Sequence, residues 1–176
     1  MMQRCPNLLL VFLLAASGLL LAGCFQSEQP KFSLAGAAAP FGDGGRHVVY
    51  EWVAGDRFDR QEVFVIRRRP DRSYEFMNEK GQSAAMSLHA LGGGLFVGQA
   101  RPSKDRPGYG YVVFRMTDNE AVLYLPQCDK QDKTMLSTAG VEVSGRFECI
   151  IDRVADPTAL FKQLELGNPV SKLVRE

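Results

Sequence analysis

The sequence predicts a mainly β protein: an antiparallel meander of about eight strands, rolled into a curved sheet or a small barrel, with a short C-terminal helix. Three observations predict it. From His47 onward, apolar and polar residues alternate with a period of two in run after run, with Val, Tyr and Phe prominent. The runs are separated by brief turn-forming stretches, and short links favour sequential antiparallel neighbours. After the last run, Asp156-Pro157 opens a stretch whose apolar residues recur at helical spacing. At 45% hydrophobic, the 176-residue chain can bury a core, and 21 basic against 20 acidic side chains leave no cationic excess for neutralising nucleic-acid phosphates.

The first 23 residues form their own unit. Arg4 supplies a positive start, Leu8 to Leu21 is apolar apart from small residues, and the stretch ends in Leu21-Ala22-Gly23-Cys24. This run is shorter than the roughly 18–20 residues of a spanning helix, and no basic stop-transfer cluster follows it. A cysteine directly after Leu-Ala-Gly resembles the lipobox of bacterial lipoproteins. The resemblance covers the targeting segment only. It implies cleavage before Cys24, with lipid on the Cys24 sulfur and on its new amino group. Phe25 follows, where an Asp would resemble the inner-membrane retention pattern. The implied place is therefore the outer membrane of a Gram-negative envelope, with the domain facing the periplasm. Several acyl chains, at about 0.8 kcal/mol per buried methylene, make a stable anchor.

Residues 24–45 carry no period of 2 or 3.6 and are rich in Ala, Gly and Pro. They are expected to be a flexible tether between lipid and domain. The β domain is then expected over residues 46–167.

Within it, candidate strands follow in order: Val48, Tyr50 and Trp52 alternate with His47, Val49 and Glu51, and Val63 to Ile66 is apolar. Tyr74 and Phe76 alternate before the turn Glu79-Lys80-Gly81, and Met86, Leu88 and Ala90 alternate with Ser87 and His89. Gly92-Gly93-Gly94 divides that run from Leu95 to Ala100. Tyr109 to Thr117 is parted by Asp118-Asn119 from Ala121 to Leu125. Lastly, Val141, Val143, Phe147 and Cys149 face one way, with Gly145 interrupting them. Asp156 is placed to cap a helix that starts at Pro157 and stops at Gly167, with Leu160, Phe161 and Leu164 on its apolar face. Residues 168–176 are expected to be a loose tail.

Four cysteines divide three ways. Cys5 leaves with the signal, Cys24 takes lipid, and Cys128 and Cys149 remain in an oxidising compartment as the one available pair. A Cys128–Cys149 disulfide is expected, worth about 3 kcal/mol by chain entropy. A metal site is not expected: no Cys-x-x-Cys occurs, and His47 and His89 are the only histidines.

No catalytic constellation is visible. There is no Gly-x-Ser-x-Gly elbow, and the Gly92-Gly93-Gly94 run lacks the Lys and helix of a phosphate loop. No cofactor is called for. Glu51, Asp56, Asp59 and Glu62 are interleaved with Arg57 and Arg60, which reads as a solvated turn with local ion pairs. Arg67, Arg68, Arg69 and Arg72 around Pro70-Asp71 are the densest cationic run, read either as a solvated turn or as a contact for anionic headgroups or an acidic partner. Tyr109-Gly110-Tyr111, after the polar loop from Pro102 to Pro107, reads as core or as the border of a groove.

The functional expectation is a lipid-anchored envelope protein with a non-catalytic binding or accessory role. Its partners would be the membrane, through Cys24, and an envelope protein, peptidoglycan or lipid. The alternatives are a barrel-type inhibitor or carrier of a small apolar ligand, although no Gly-x-Trp strand of the lipocalin kind is present, and an enzyme using the carboxylates between Glu51 and Glu62. A concave apolar pocket marks the carrier, a protruding loop the inhibitor and converging carboxylates the enzyme.

Overall fold

The computed structural model describes residues 25–101, 107–145 and 147–176. The expected signal segment, residues 1–23, and the expected lipidation site Cys24 lie outside the described residues. The expected mainly β architecture is found, and it takes the closed form.

Among the described residues there are eleven strands: β1 (Phe25–Ser27), β2 (Gly44–Ala54), β3 (Arg57–Arg68), β4 (Tyr74–Asn78), β5 (Ser83–Gly92), β6 (Leu95–Ala100), β7 (Tyr109–Met116), β8 (Glu120–Tyr124), β9 (Glu142–Ser144), β10 (Glu148–Ile150) and β11 (Pro169–Arg175). Strands β2 to β8 run as an antiparallel meander. The chain then leaves the sheet and returns as β11, which inserts between β8 and β2; β6 also pairs with β7. The result is a closed eight-stranded antiparallel barrel with no open edge of its own.

Between β8 and β11 the chain builds a second layer. It contains α1 (Lys133–Thr138), the β9–β10 hairpin and α2 (Pro157–Gln163). This layer covers the outside of β5 to β7, so those strands are buried on both faces. Val112 and Phe114 point into the barrel, while Tyr111 and Val113 pack outward against Leu136, Ile151, Leu160 and Phe161. The barrel interior is filled by Phe41, Phe64, Ile66, Tyr74, Phe76, Met86, Leu88, Phe114 and Leu123. Gly98 is tightly hemmed: an added Cβ would collide with Met86 and lie 2.8 Å from Val112.

Three expectations need correction. Residues 24–45 are not a slack tether where they are described. Phe25 is fully buried, β1 lies between β7 and β10, and Phe41 sits in the barrel. A tether needs solvated residues, and three Phe in 22 positions supply too much apolar surface for that. Residues 168–176 are not a loose tail either, because Pro169–Arg175 is the strand that closes the barrel. The run from Val141 to Cys149 is not one strand; it folds back at Gly145 (φ 64°) so that Val143 and Cys149 become cross-strand partners. The barrel itself is antiparallel throughout, as expected; beside it the additional strands β1 and β10 run parallel.

The C-terminal helix starts as expected, with the Asp156 carboxylate accepting from Ala159 N at 2.9 Å and Pro157 in the first turn. It ends at Gln163, before Gly167, because Leu164 turns extended to bury its side chain. Helix α1 falls between β8 and β9, in a stretch for which the sequence predicts no strand or helix. Asp132 caps it through Met135 N, and Leu136 is its buried residue.

Candidate functional site

Three features of this fold bear on function: the strap that follows Cys24, the cationic turn, and a polar cluster inside one end of the barrel.

The strap begins at Phe25, whose Cα partner is Cys149, while Gln26 is paired with Gly110 of β7. Beyond β1 it is held by a buried polar lock. The Gln99 side-chain oxygen accepts from Lys31 N (2.8 Å) and Phe32 N (2.9 Å), and its Nε2 donates to Phe32 O (3.1 Å). The Tyr111 and Ser27 hydroxyls hydrogen bond at 2.6 Å, and Tyr111 also donates to Gln99. Burial pushes the Tyr111 phenol up to about 12, against the opposing pull of the Ser27 hydrogen bond. Phe32 stacks on His89 at 4.9 Å between centroids.

The pairing of β4 with β5 stops at Tyr74 and Met86, and the freed Leu88 carbonyl accepts instead from Ala38 N. Through that opening Phe41 enters the barrel, edge-on to His47 (5.2 Å), Tyr74 (5.6 Å) and Phe76 (5.9 Å). It plugs the end of the barrel at which β2 starts.

The expected disulfide is present between Cys128 and Cys149, with Cα atoms 5.6 Å apart. It ties the turn before α1 to β10, and thus to the strand beside β1.

The four arginines of the cationic run lie at the end of β3 and in the turn that follows it. Arg67 and Arg68 end β3, Arg69 and Arg72 belong to the turn into β4, and all four are exposed. The turn is pinned rather than loose. Asp71 accepts from Ser73 N and Oγ (3.0 and 2.6 Å) and from Arg101 (2.8 Å). The Ser73 hydrogen bonds, followed by Arg101, hold its carboxyl down at about 2. Arg72 is not wholly available to a partner, because its guanidinium donates to Ala35 O of the strap at 2.7 Å.

The acidic residues read as a solvated turn separate into two groups. Asp56 and Arg57 lie on an open outer groove with Tyr50, Phe58 and Lys172. Glu51 and Glu62 sit on the inner face of neighbouring strands. Glu62 is the cross-strand partner of Val49, and Glu51 follows Val49 by two residues on the same face. Opposite Glu51 on β11 is Ser171, 3% exposed, and beyond it on β8 is Leu123. Glu62 Oε1 and Ser171 Oγ are buried without a hydrogen-bond partner. Burial raises both carboxyls above the usual range. Asp59 adds to the rise at Glu51, whereas Lys80 and an Asn78 hydrogen bond oppose it at Glu62. Two register shifts flank the cluster, between Val49 and Tyr50 and between Pro169 and Ser171. Such bulges re-aim side chains. Arg60, expected to neutralise these acids, is 3.9 Å from Glu176 instead.

His47 and His89 are both buried, which lowers their pKa; carbonyls of Gly45 and Gly36 oppose this, and Arg175 adds to it at His47. Tyr109 and Tyr111 belong to the packed second layer rather than to a groove. Sequence reasoning missed Ser171, Phe41 and Gln99 as positioning residues. Only Phe41, an aromatic inside a Gly/Ala/Pro stretch, carried a visible signal.

No protein family, no curated protein and no solved structure matches this chain.

Proposed function

We propose that this is a lipid-anchored protein of the bacterial envelope whose barrel is held close against the bilayer and serves a non-catalytic binding role. The observation that carries the reading is that the residue joined to Cys24 is locked into the fold: Phe25 is fully buried and hydrogen-bonded strands flank it on both sides. Consecutive Cα atoms are about 3.8 Å apart, so a lipid on Cys24 would leave the barrel wall within one residue of Phe25. Such a protein does not swing on a leash; it presents a fixed face to the membrane and another to the periplasm.

Of the binding alternatives, an apolar cargo inside the barrel is disfavoured by the filled interior, where Phe41 and Phe114 occupy the space that a carrier leaves open. The available surfaces are the cationic turn and the polar end of the barrel.

The test is metabolic labelling with an alkyne fatty acid. Label is expected in the wild-type chain and absent from Cys24→Ser, which should move to the soluble periplasmic fraction. A nitroxide at Val143, half-exposed on the hairpin next to β1, should be broadened by lipid-phase relaxants more than one at Lys80. Equal labelling of both chains, or equal membrane retention, overturns the reading.

A further inference from the structure

We propose that the cavity beside the β7–β8 turn is a binding site for a small monocarboxylate, held by Arg175 and His47. This goes beyond the anchoring role and does not depend on it.

The cavity lies at the end of the barrel where β2 starts. The strap at Phe41, the turn from β7 to β8 and the end of β11 border it, and its volume is about 50 Å³. The register places its polar wall. Arg175 and His47 are cross-strand partners, on the inward parity of Leu173 and Val49. Arg175 N donates to Asn119 O at 3.3 Å, which holds the turn against β11. Phe41, Met116 and Leu173 supply an apolar wall. Asp118 and Asn119 at the turn are exposed, so the cavity meets solvent there.

Two polar groups on this wall are unmatched. The Arg175 guanidinium makes no hydrogen bond and no ion pair among the described residues. The neighbouring acids do not neutralise it. Glu176 pairs with Arg46 at 3.0 Å, Glu120 reaches Lys172 at 3.7 Å, and Asp118 borders the cavity without an ion pair. The His47 ring is 4% exposed, and its Nδ1 meets Gly45 O at 3.4 Å. A carbonyl only accepts, so Nδ1 carries the hydrogen, and Nε2 is left without a hydrogen-bond partner.

These groups narrow the ligand. A guanidinium offers parallel N–H groups that match the two oxygens of a carboxylate. A cavity needs about 10–15 Å³ to take one water, so this one has room for about four non-hydrogen atoms, as in acetate. The apolar wall receives the methyl group. Asp118 and Glu120, both on the border, leave the site too little positive for a dianion.

His47 supplies the second contact by taking up a proton. Burial lowers its pKa, the Gly45 carbonyl opposes this, and Arg175 adds to the lowering, so the empty site holds a neutral ring at pH 7. A carboxylate beside it favours the imidazolium, and the proton comes from solvent to Nε2. The charged groups around the ring are Arg175, Asp118 and Glu120, while the strap and β3 present Phe41 and Phe64 to it.

The experiment is an NMR titration of the full chain in detergent with sodium acetate, run also on Cys24→Ser so that loss of the anchor is separated from loss of the site. Sodium chloride, sodium sulfate and sodium pivalate at equal ionic strength are the controls. Saturable shifts are expected at His47, Asn119 and Arg175 with acetate, in both chains, and none with chloride, sulfate or the bulkier pivalate. Affinity should be about threefold higher at pH 5.5 than at pH 7.5. Arg175→Gln should bind about tenfold more weakly. Arg46→Gln, which removes a neighbouring charge that does not border the cavity, should bind as wild type does. The proposal is overturned if acetate gives no saturation, if any control anion gives the same shifts, or if affinity is level across that pH range. It is overturned equally if folded Arg175→Gln binds as wild type does, or if Arg46→Gln weakens binding as much as Arg175→Gln.

Discussion

Phe25 and Cys149 are partners in the parallel pairing of β1 with β10, so the disulfide to Cys128 braces the strand that carries the N-terminal strap. Reduction should therefore be felt first at the strap. Replacing both cysteines by Ser should cost about 3 kcal/mol of stability by the chain-entropy argument. Hydrogen exchange should show β1 and β10 losing protection before the barrel strands β2 to β5 do. Uniform loss of protection would mean that the bridge stabilises the whole molecule and does not act through the strap.

The strap is held by polar contacts as well as by pairing. Tyr111→Phe removes the hydroxyl that binds Ser27 and reaches Lys31 N (3.2 Å). A loss of about 1–2 kcal/mol is expected in urea denaturation. Because Gln99 accepts from the same backbone segment, a Tyr111→Phe/Gln99→Leu double-mutant cycle should show a coupling of about 0.5–3 kcal/mol. Additivity would separate the two residues into independent contacts.

Phe41 couples the strap to the barrel interior. Phe41→Ala should cost about 3–5 kcal/mol, since the ring is ringed by His47, Tyr74, Phe76 and Phe114 and those rings cannot all collapse into the space. At about 2–4 °C per kcal/mol for a chain of this size, the fall in Tm is readily seen by calorimetry. A change below 1 kcal/mol would show that Phe41 rests on the barrel without plugging it.

The barrel strands were legible because Tyr74 and Phe76 in β4 and Met86 and Leu88 in β5 repeat an apolar inner face and each short turn announces itself. What escaped reading escaped for physical reasons. In β11 the inward residues are Ser171, Leu173 and Arg175, so polar groups occupy two of three inner positions and the alternation disappears. The hairpin of β9 and β10 is invisible to periodicity because a turn that keeps Val143 opposite Cys149 also keeps their parity. The strap is extended and irregular, held by side chains from distant strands such as Gln99 and Tyr111, which a local window cannot include. Glu51 and Glu62 were legible as acids, but their place on the inner face, on the parity of Val49 and Phe64, was hidden by the polar residues around them.

Buried titratable groups give opposing pH slopes. For His47 and His89, burial lowers the folded pKa below the ordinary 6.5. Below that pH the unfolded chain takes up protons that the folded chain refuses, so the stability they contribute is complete above about 6.5 and is lost as pH falls toward the folded values. For Glu51 and Glu62 the folded pKa lies above 4.5, so the unfolded chain releases protons first, and their contribution is present below 4.5 and lost as pH rises through the folded values. Tm is thus expected to fall between pH 7 and pH 5.5 through the histidines. His89→Gln, which can keep the contact to Ser87 Oγ, should flatten that fall. Glu62→Gln should instead raise Tm at pH 7 and leave it unchanged near pH 4, because the amide removes a buried charge that the wild type bears only at the higher pH. A wild-type Tm that is level from pH 5.5 to 7, with no response to either substitution, would show that neither pair is desolvated enough to couple titration to folding.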